Sequence, residues 1–406
     1  MRQPDFLKLW GGQTVSELGS ALTYNGLPLL AVITLNASAV QLGLLTAAGS
    51  VPVILFGLVA GVWVDRLRRR PVMIAADLGR ALVLASIPVA ALLGVLHAGQ
   101  LYWVAALAGA LGVFFNAAYR AYLPSLVSRE ALVASNSRLT LSSSLVEVVG
   151  PGLAGALVQA ITAPMAILFD ALSFLVSALS LGLIRQPEPP PPPPGEYQSG
   201  VQEAREGLSL VLRQPVLRAL ALHGVVGNFF GSFFAVLYAL YGIRVLHLTP
   251  IALGIAIGVG GASSVVGSLL AERAARKFGL GGTMVGALMI SWVFSLLGPL
   301  AASAGGLGFA LLVISQVGDV AGTIFNIHAT SLRQTIAPER MLGRVVASTD
   351  LLVTGIGPLG ALVGGLLGAR YGAQATLAIA CGGFFLANLW VIFSPIRKMR
   401  TGVDAR

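Results

Sequence analysis

Carboxylates set inside apolar sequence are the first residues in this chain that can do chemistry. Glu17, Glu147 and Asp319 each stand in a long, otherwise uncharged run. A carboxylate drawn out of water keeps its proton toward neutral pH and can cycle it, and charge buried in an apolar slab is costly enough to imply a use. These three are the proton-exchange candidates. Asp77, Asp170 and Asp350 have Arg or Ser close by and read as structural pairs. Arg80, Arg120 and Arg138 read as interfacial, their stems buried and their heads in water.

Two further groups stand out. The stretch GVWVDRLRRR (61–70) crowds Gly61, Asp65, Arg66, Arg68, Arg69 and Arg70 into one turn. Arginines alone would anchor such a turn. Asp65 is superfluous for anchoring and can pair with Arg69 or sit at a helix N-terminus, a contact able to form and break. The second group joins aromatic rings to amides: Tyr24 and Asn25, Phe115 and Asn116, and Asn228, Phe229 and Phe233 within NFFGSFF. Rings with a few polar groups suit a cavity for amphipathic molecules. Adjacent residues cannot all face inward, so some of these rings face outward. None of the four histidines has a ligand-spaced partner, so no metal is expected, and no cofactor motif is present.

The elements that position these residues follow from composition. Of 406 residues 56% are hydrophobic and 10% charged, with a mean hydropathy of +0.85. Apolar runs of about 20 residues match a bilayer core about 30 Å thick. Twelve fall near 8–35, 41–64, 72–96, 101–123, 136–160, 164–184, 216–243, 251–272, 282–302, 306–331, 343–369 and 374–395. The chain is expected to be an all-α polytopic membrane protein. The first run, broken by Glu17, reads as a retained span rather than a leader. The lone Cys381 excludes an internal disulfide framework. The net charge of +10 reads as loop anchoring and not as nucleic-acid binding.

Loops at 36–40, 97–100, 161–163 and 303–305 carry no basic residue, and those with Arg244 and Arg370 carry one each. The other 24 of 26 basic residues lie in the alternate loops, at the termini or in nearby helix turns, which places both termini in the cytoplasm. Between runs six and seven, prolines 189–194 form a stiff spacer, and Val201, Ala204, Leu208, Val211 and Leu212 then recur at helical spacing. That pattern predicts an amphipathic helix lying on the membrane surface. The expected domains are an N-terminal six-helix bundle over 1–186, a linker over 187–214 and a C-terminal six-helix bundle over 215–406. The halves echo each other: GVWVDRLRRR matches GSLLAERAARKFG (267–279), and SREALVASN (128–136) matches PERMLGRVV (338–346). Each of the latter leads into a Gly-Pro span, VGPGLAG (149–155) and IGPLGAL (356–362).

With these features the chain resembles the major facilitator superfamily. Its loop signature, G-x-x-x-D-R-x-G-R-R, reads here as Gly61, Asp65, Arg66, Arg69 and Arg70, with Arg68 in place of the second glycine. Span five resembles the family's antiporter signature through Gly150, Pro151 and Gly155, with Val146 and Ala154 where glycines are expected. FDALSFLVSALSL (169–181) and APERMLGRVVAS (337–348) are similar to the drug-efflux and secretion-effector branch that includes enterobactin exporters. The resemblance implies two pseudo-symmetric bundles that alternate access to a central site, with the 61–70 turn as a cytoplasmic latch. It implies a secondary transporter in the inner membrane, exporting small amphipathic compounds in exchange for protons; a monomer is expected, because no span shows a dedicated dimer seam. An importer or uniporter on the same scaffold, or a receptor that binds without transport, is the alternative. No G-x-x-x-x-G-K-[ST] motif supports ATP hydrolysis, and no nucleophile–base set supports a membrane enzyme.

Overall fold

The structure is a computed structural model that describes residues 4–128, 131–188 and 200–400. Among these residues every regular element is helical. The N-terminal elements are α1 (Pro4–Ile33), α2 (Ala39–Asp65), α3 (Arg69–Leu92), α4 (Ala98–Leu126), α5 (Leu132–Ala160) and α6 (Ala163–Gly182). Then follow α7 (Gly200–Arg213), α8 (Pro215–Leu240), α9 (Pro250–Phe278), α10 (Leu280–Leu300), α11 (Gly308–Val317), α12 (Asp319–Ile336), α13 (Leu342–Gly355), α14 (Gly357–Tyr371) and α15 (Ala373–Ile392).

Ten helical stretches among the described residues are long and apolar enough to cross a membrane. One runs over Leu280–Ile336, 57 residues, and holds two crossings on either side of the 3-10 turn Ala301–Leu307. α1 has the length but is not among the ten, its apolar run being interrupted by Gln13, Ser16, Glu17 and Asn25. The last crossings are interrupted: α11 and α12 break at Gly318, and α13 and α14 at Ile356, ahead of Gly357 and Pro358. Pro358 lacks the N–H a continuous helix needs, and at the start of α14 that donor is not missed.

The chain divides into two compact units, Met1–Glu196 with Thr249–Gly258, and Tyr197–Leu248 with Val259–Arg406. In the first, α1 lies along α6 and α5, α3 along α6 and α4, and α2 along α4. Small residues permit this closeness. A Cβ on Gly109 would stand 2.6 Å from the Gly49 carbonyl oxygen, so α2 and α4 nearly touch there. In the second, α8 packs on α15 and α14, and α10 on α12 and α15.

Prolines 189–194 lie outside the described residues, but α7 does not. Instead of resting on lipid alone, α7 docks on protein. Val211 is fully buried, and with Leu210 it packs against Leu217, Ala221, Ile336, Leu342 and Val345. Glu206 pairs with Arg344 of α13. Gly207 sits so close to the Arg344 carbonyl that a side chain there would overlap it. An amphipathic face needs an apolar partner, and the sequence alone cannot say whether that partner is lipid or a neighbouring helix.

Candidate functional site

A cavity of about 410 Å³ opens within the first unit, walled by α1, α4 and α5. α5 supplies Asn136, Thr140, Ser143, Ser144 and Glu147, spaced so that one face of the helix is polar. α1 supplies Glu17, and α4 supplies Tyr119 and Arg120. Leu123, Pro124, Leu132 and Leu139 complete an apolar wall. Two carboxylates therefore share one cavity with one guanidinium and several hydroxyls. Ser143 Oγ donates to Glu17 Oε2 at 2.8 Å, and nearby Trp10 Nε1 donates to Ser142 Oγ at 2.9 Å. Both bonds tie α1 to α5. The signal for this stripe was present in the hydroxyl-rich run SNSRLTLSSSLVE (135–147), whose polar residues recur at helical spacing.

The ring and amide candidates lie elsewhere. Phe115 is 3% exposed and packs in the core of the first unit. Tyr24 is exposed, Asn25 Nδ2 donates to the Ala21 carbonyl of its own helix at 2.8 Å, and Asn116 is exposed. In the second unit Phe229, Phe230 and Phe233 form a ring cluster with centroids 5.1–5.5 Å apart. Phe233 is buried and pressed on Gly364, while Asn228 is exposed and reaches toward Gly357.

Asp319, the third proton candidate, opens α12 just past the break at Gly318. A Cβ on Gly260 of α9 would come 2.6 Å from Asp319 Oδ2, so the bare glycine makes room for the carboxylate. Close by, Gln316 Nε2 donates to the Tyr238 hydroxyl at 2.9 Å. The antiporter-like residues serve close packing. A Cβ on Gly150 would stand 2.7 Å from Ala21 of α1. One on Gly155 would overlap the Pro250 carbonyl, and the Pro151 carbonyl is approached as closely by Gly254.

At the charged turn, Gly61 lies in the last turns of α2 and Asp65 closes that helix, the Asp65 side chain lying outside what is described. Arg66 is exposed. The anion at the N-terminus of α3 is Glu188, which accepts from the Arg69 N–H at 2.5 Å and from the Arg70 N–H at 3.2 Å. Arg70 Nε donates to the Leu181 carbonyl at 2.7 Å and its Nη2 to the Gly182 carbonyl, at the C-terminal end of α6 where cations are favoured. Ahead of the first span, Asp5 Oδ2 accepts from the N–H groups of Arg185 and Gln186 at 3.1 and 2.9 Å. Its other oxygen takes Lys8 Nζ at 2.7 Å. The Lys8 hydrogen bond, with these backbone donors, holds the Asp5 carboxyl below its ordinary value. Residues 185–188 are thus stitched to α1 and α3.

Arg80 departs from its expected place. It is no snorkelling interfacial residue: its side chain is 12% exposed and paired with the fully buried Asp77, and its guanidinium lies between the rings of Phe115 and Phe174. Among the described residues no group of three or more His, Cys, Asp or Glu is placed to hold a metal.

Helical spans in two units, with a polar cavity among the membrane-crossing helices, define a polytopic membrane protein of the solute-transporter type. The model of the Major Facilitator Superfamily matches residues 9–360, and the chain belongs to that family. It is 30% identical to the multidrug efflux pump Tap of Mycolicibacterium fortuitum, over 97% of this chain and 96% of that one. It is 23% identical to macrolide efflux protein A of Streptococcus pyogenes, over 91% and 90% of the two chains. Solved structures share the fold: the nucleoside transporter NupG at a TM-score of 0.78 and 14% identity, covering 96% of this chain and 99% of that one. A bacterial homologue of the iron transporter ferroportin gives 0.74 at 19% identity, covering 97% and 98%.

Proposed function

We propose that this transporter is a proton-coupled exporter of small amphipathic compounds, working by alternating access. The observation that carries the reading is the pairing of Glu17 and Glu147 in one cavity with an apolar wall. Such a cavity suits a molecule with both greasy and polar faces. A carboxylate in it can hold a proton or make way for a substrate, but does both poorly at once, and that competition is what an exchanger needs. Relatives over nearly the full chain carry names of drug and macrolide efflux proteins, which supports export over import. Asp319 is a coupling candidate of the second unit.

In this reading both termini face the cytoplasm, the protein is a monomer in the inner membrane, and Asp65 with Arg66, Arg69 and Arg70 forms a cytoplasmic latch. Glu188 at the N-terminus of α3 belongs to the same latch. The bundles 1–186 and 215–406 rock about the 187–214 linker.

The test is flux of lipophilic dyes through the purified protein in proteoliposomes under an imposed pH gradient. Uphill dye movement against the proton gradient that collapses with an uncoupler supports the exporter. Downhill, uncoupler-insensitive movement would make the protein a uniporter, and binding without movement a receptor.

A further inference from the structure

We propose that Asp77 and Asp170 hold one proton between them across Arg80, forming a protonation site separate from the cavity carboxylates. The proposal rests on the coupled-exporter reading for its role in transport; the shared proton itself does not depend on it.

The cluster lies among helices α1, α3, α4 and α6. Asp77 is the ninth residue of α3 and Asp170 the eighth of α6, both well inside their spans. Their exposures are 0% and 1%. Arg80 Nη2 donates to Asp77 Oδ1, and Asp170 lies within electrostatic reach of both. The guanidinium is sandwiched 4.4 Å from the Phe115 centroid and 4.0 Å from that of Phe174, which excludes water and holds the cation in place. Ser173 Oγ sits 3.1 Å from Asp170 Oδ1.

The charges do not balance when all three groups are ionised. Two carboxylates against one guanidinium leave a net negative charge in apolar surroundings, and one added proton removes it. Neutral and charged partners are near at hand on every packed helix. α1 brings Thr23 to the Asp170 carboxylate, and its nearest charge along the helix is Glu17. α4 brings Phe115, with Tyr119 and Arg120 one turn on. α6 brings Ser173 and Ser177. α5, which touches α6, has Arg138 and Glu147 as its charges, and residues 39–64 of α2 carry none. Arg80 is thus the cation paired with Asp77 and within electrostatic reach of Asp170. The hydrogen bonding is also uneven: Thr23 and Ser173 attend Asp170 and Ser177 attends Asp77, while Arg80 Nε is buried without a partner. A purely structural pair would be expected to satisfy such an atom. Two carboxylates held this way titrate as a unit, so the proton belongs to the pair.

The cluster is also connected to the cavity. Tyr119 lines the cavity wall, and its ring stacks on Phe115 with centroids 6.2 Å apart. Phe115 in turn covers Arg80. An occupant that displaces Tyr119 therefore reaches the cation through two rings.

Infrared titration of the substrate-free protein in lipid nanodiscs tests the shared proton directly. Either Asp77→Asn or Asp170→Asn leaves one acid with one guanidinium, an electroneutral cluster that needs no proton. Each is expected to lose the same component of the protonated-carboxyl C=O band, while Glu17→Gln keeps it. Arg80→Gln, which leaves two acids without a cation, is expected to gain intensity there. A band unchanged in both Asn variants, or lost in only one, overturns the sharing whatever the flux shows. With rhodamine 6G as the transported dye, the pH profile of efflux is expected to shift from that of the wild type in both Asn variants, the cavity carboxylates supplying what dependence remains. Efflux that keeps the wild-type pH profile in them overturns the site's role in transport. Wild-type efflux with no proton dependence would instead overturn the exporter reading, and the infrared result would be judged apart from it.

Discussion

Ser143 on α5 donates a 2.8 Å hydrogen bond to Glu17 on α1, so the one cavity carboxylate with a described donor is held by the helix that forms the cavity's polar face. Glu147, from the same face of α5, completes the acidic pair. In the proposed exporter, α1 and α5 are the helices on which substrate and proton would meet.

Ser143→Ala removes this donor. A hydrogen bond to a charged group contributes roughly 1.5–3 kcal/mol, and partial exposure reduces this to about 1 kcal/mol, about fivefold in rate. The variant is expected to fold and to export dye about fivefold more slowly. Initial rates in proteoliposomes measure this, and a wild-type rate would show that the bond does not position Glu17.

Asp5→Asn loosens the stitch between α1 and residues 185–186. The Asp5 carboxyl lies below its ordinary 3.8 in the folded chain, so its stabilisation is present above that value and is lost as pH falls through the lower, folded-state value. The variant is expected to melt earlier than wild type at pH 7, with the gap narrowing as pH drops below about 4. Thermal denaturation in detergent across pH reads this out.

Gly155→Ala places a methyl on the Pro250 carbonyl. Overpacking against backbone costs typically 1–3 kcal/mol. Gly152, with nothing within 4 Å of a built Cβ, is the control. Gly155→Ala is expected to lower the melting temperature and Gly152→Ala to leave it unchanged. Equal melting of the two would mean the helices adjust freely at this crossing.

Gly207→Val drives a side chain into the Arg344 carbonyl and Ser348, and is expected to lift α7 off α13. Glu206→Gln breaks only the ion pair with Arg344, whose side chains are 42% and 27% exposed, a loss of well under about 1 kcal/mol. Hydrogen exchange over α7 should therefore rise strongly in the first variant and little in the second. A reversed order would show that the ion pair, not the close helix approach, docks α7.

Much of the fold was legible because hydropathy reports directly on the bilayer. The spans around 101–123 and 164–184 correspond to α4 and α6, and the Gly-Pro stretch 356–362 marks the real break before α14. Glu17 and Glu147, singled out as charges in apolar sequence, both line the cavity of the first unit. What hydropathy cannot report is which side of a helix meets which neighbour. Arg80 looked interfacial because Phe115 and Phe174, the rings that enclose it, are 35 and 94 residues away in sequence. Glu188 was missed as the anion on α3 because it lies past α6, beyond any local pairing rule, whereas Asp65 was adjacent. The polar face of α5 carries no ring or amide cluster to mark it in sequence, yet hydroxyls line a cavity as readily when helical spacing gathers them on one side. Phe115 shows the converse, a ring whose place is beneath the cavity wall and not on it.

If a cavity carboxylate couples substrate to protons, Glu17→Gln separates exchange from coupling. In one proteoliposome preparation, rhodamine 6G counterflow measures exchange with no gradient, and uphill efflux under an imposed pH gradient measures coupling. Glu17→Gln is expected to retain counterflow and lose uphill efflux. Uphill efflux at the wild-type level in that variant would contradict coupling through Glu17.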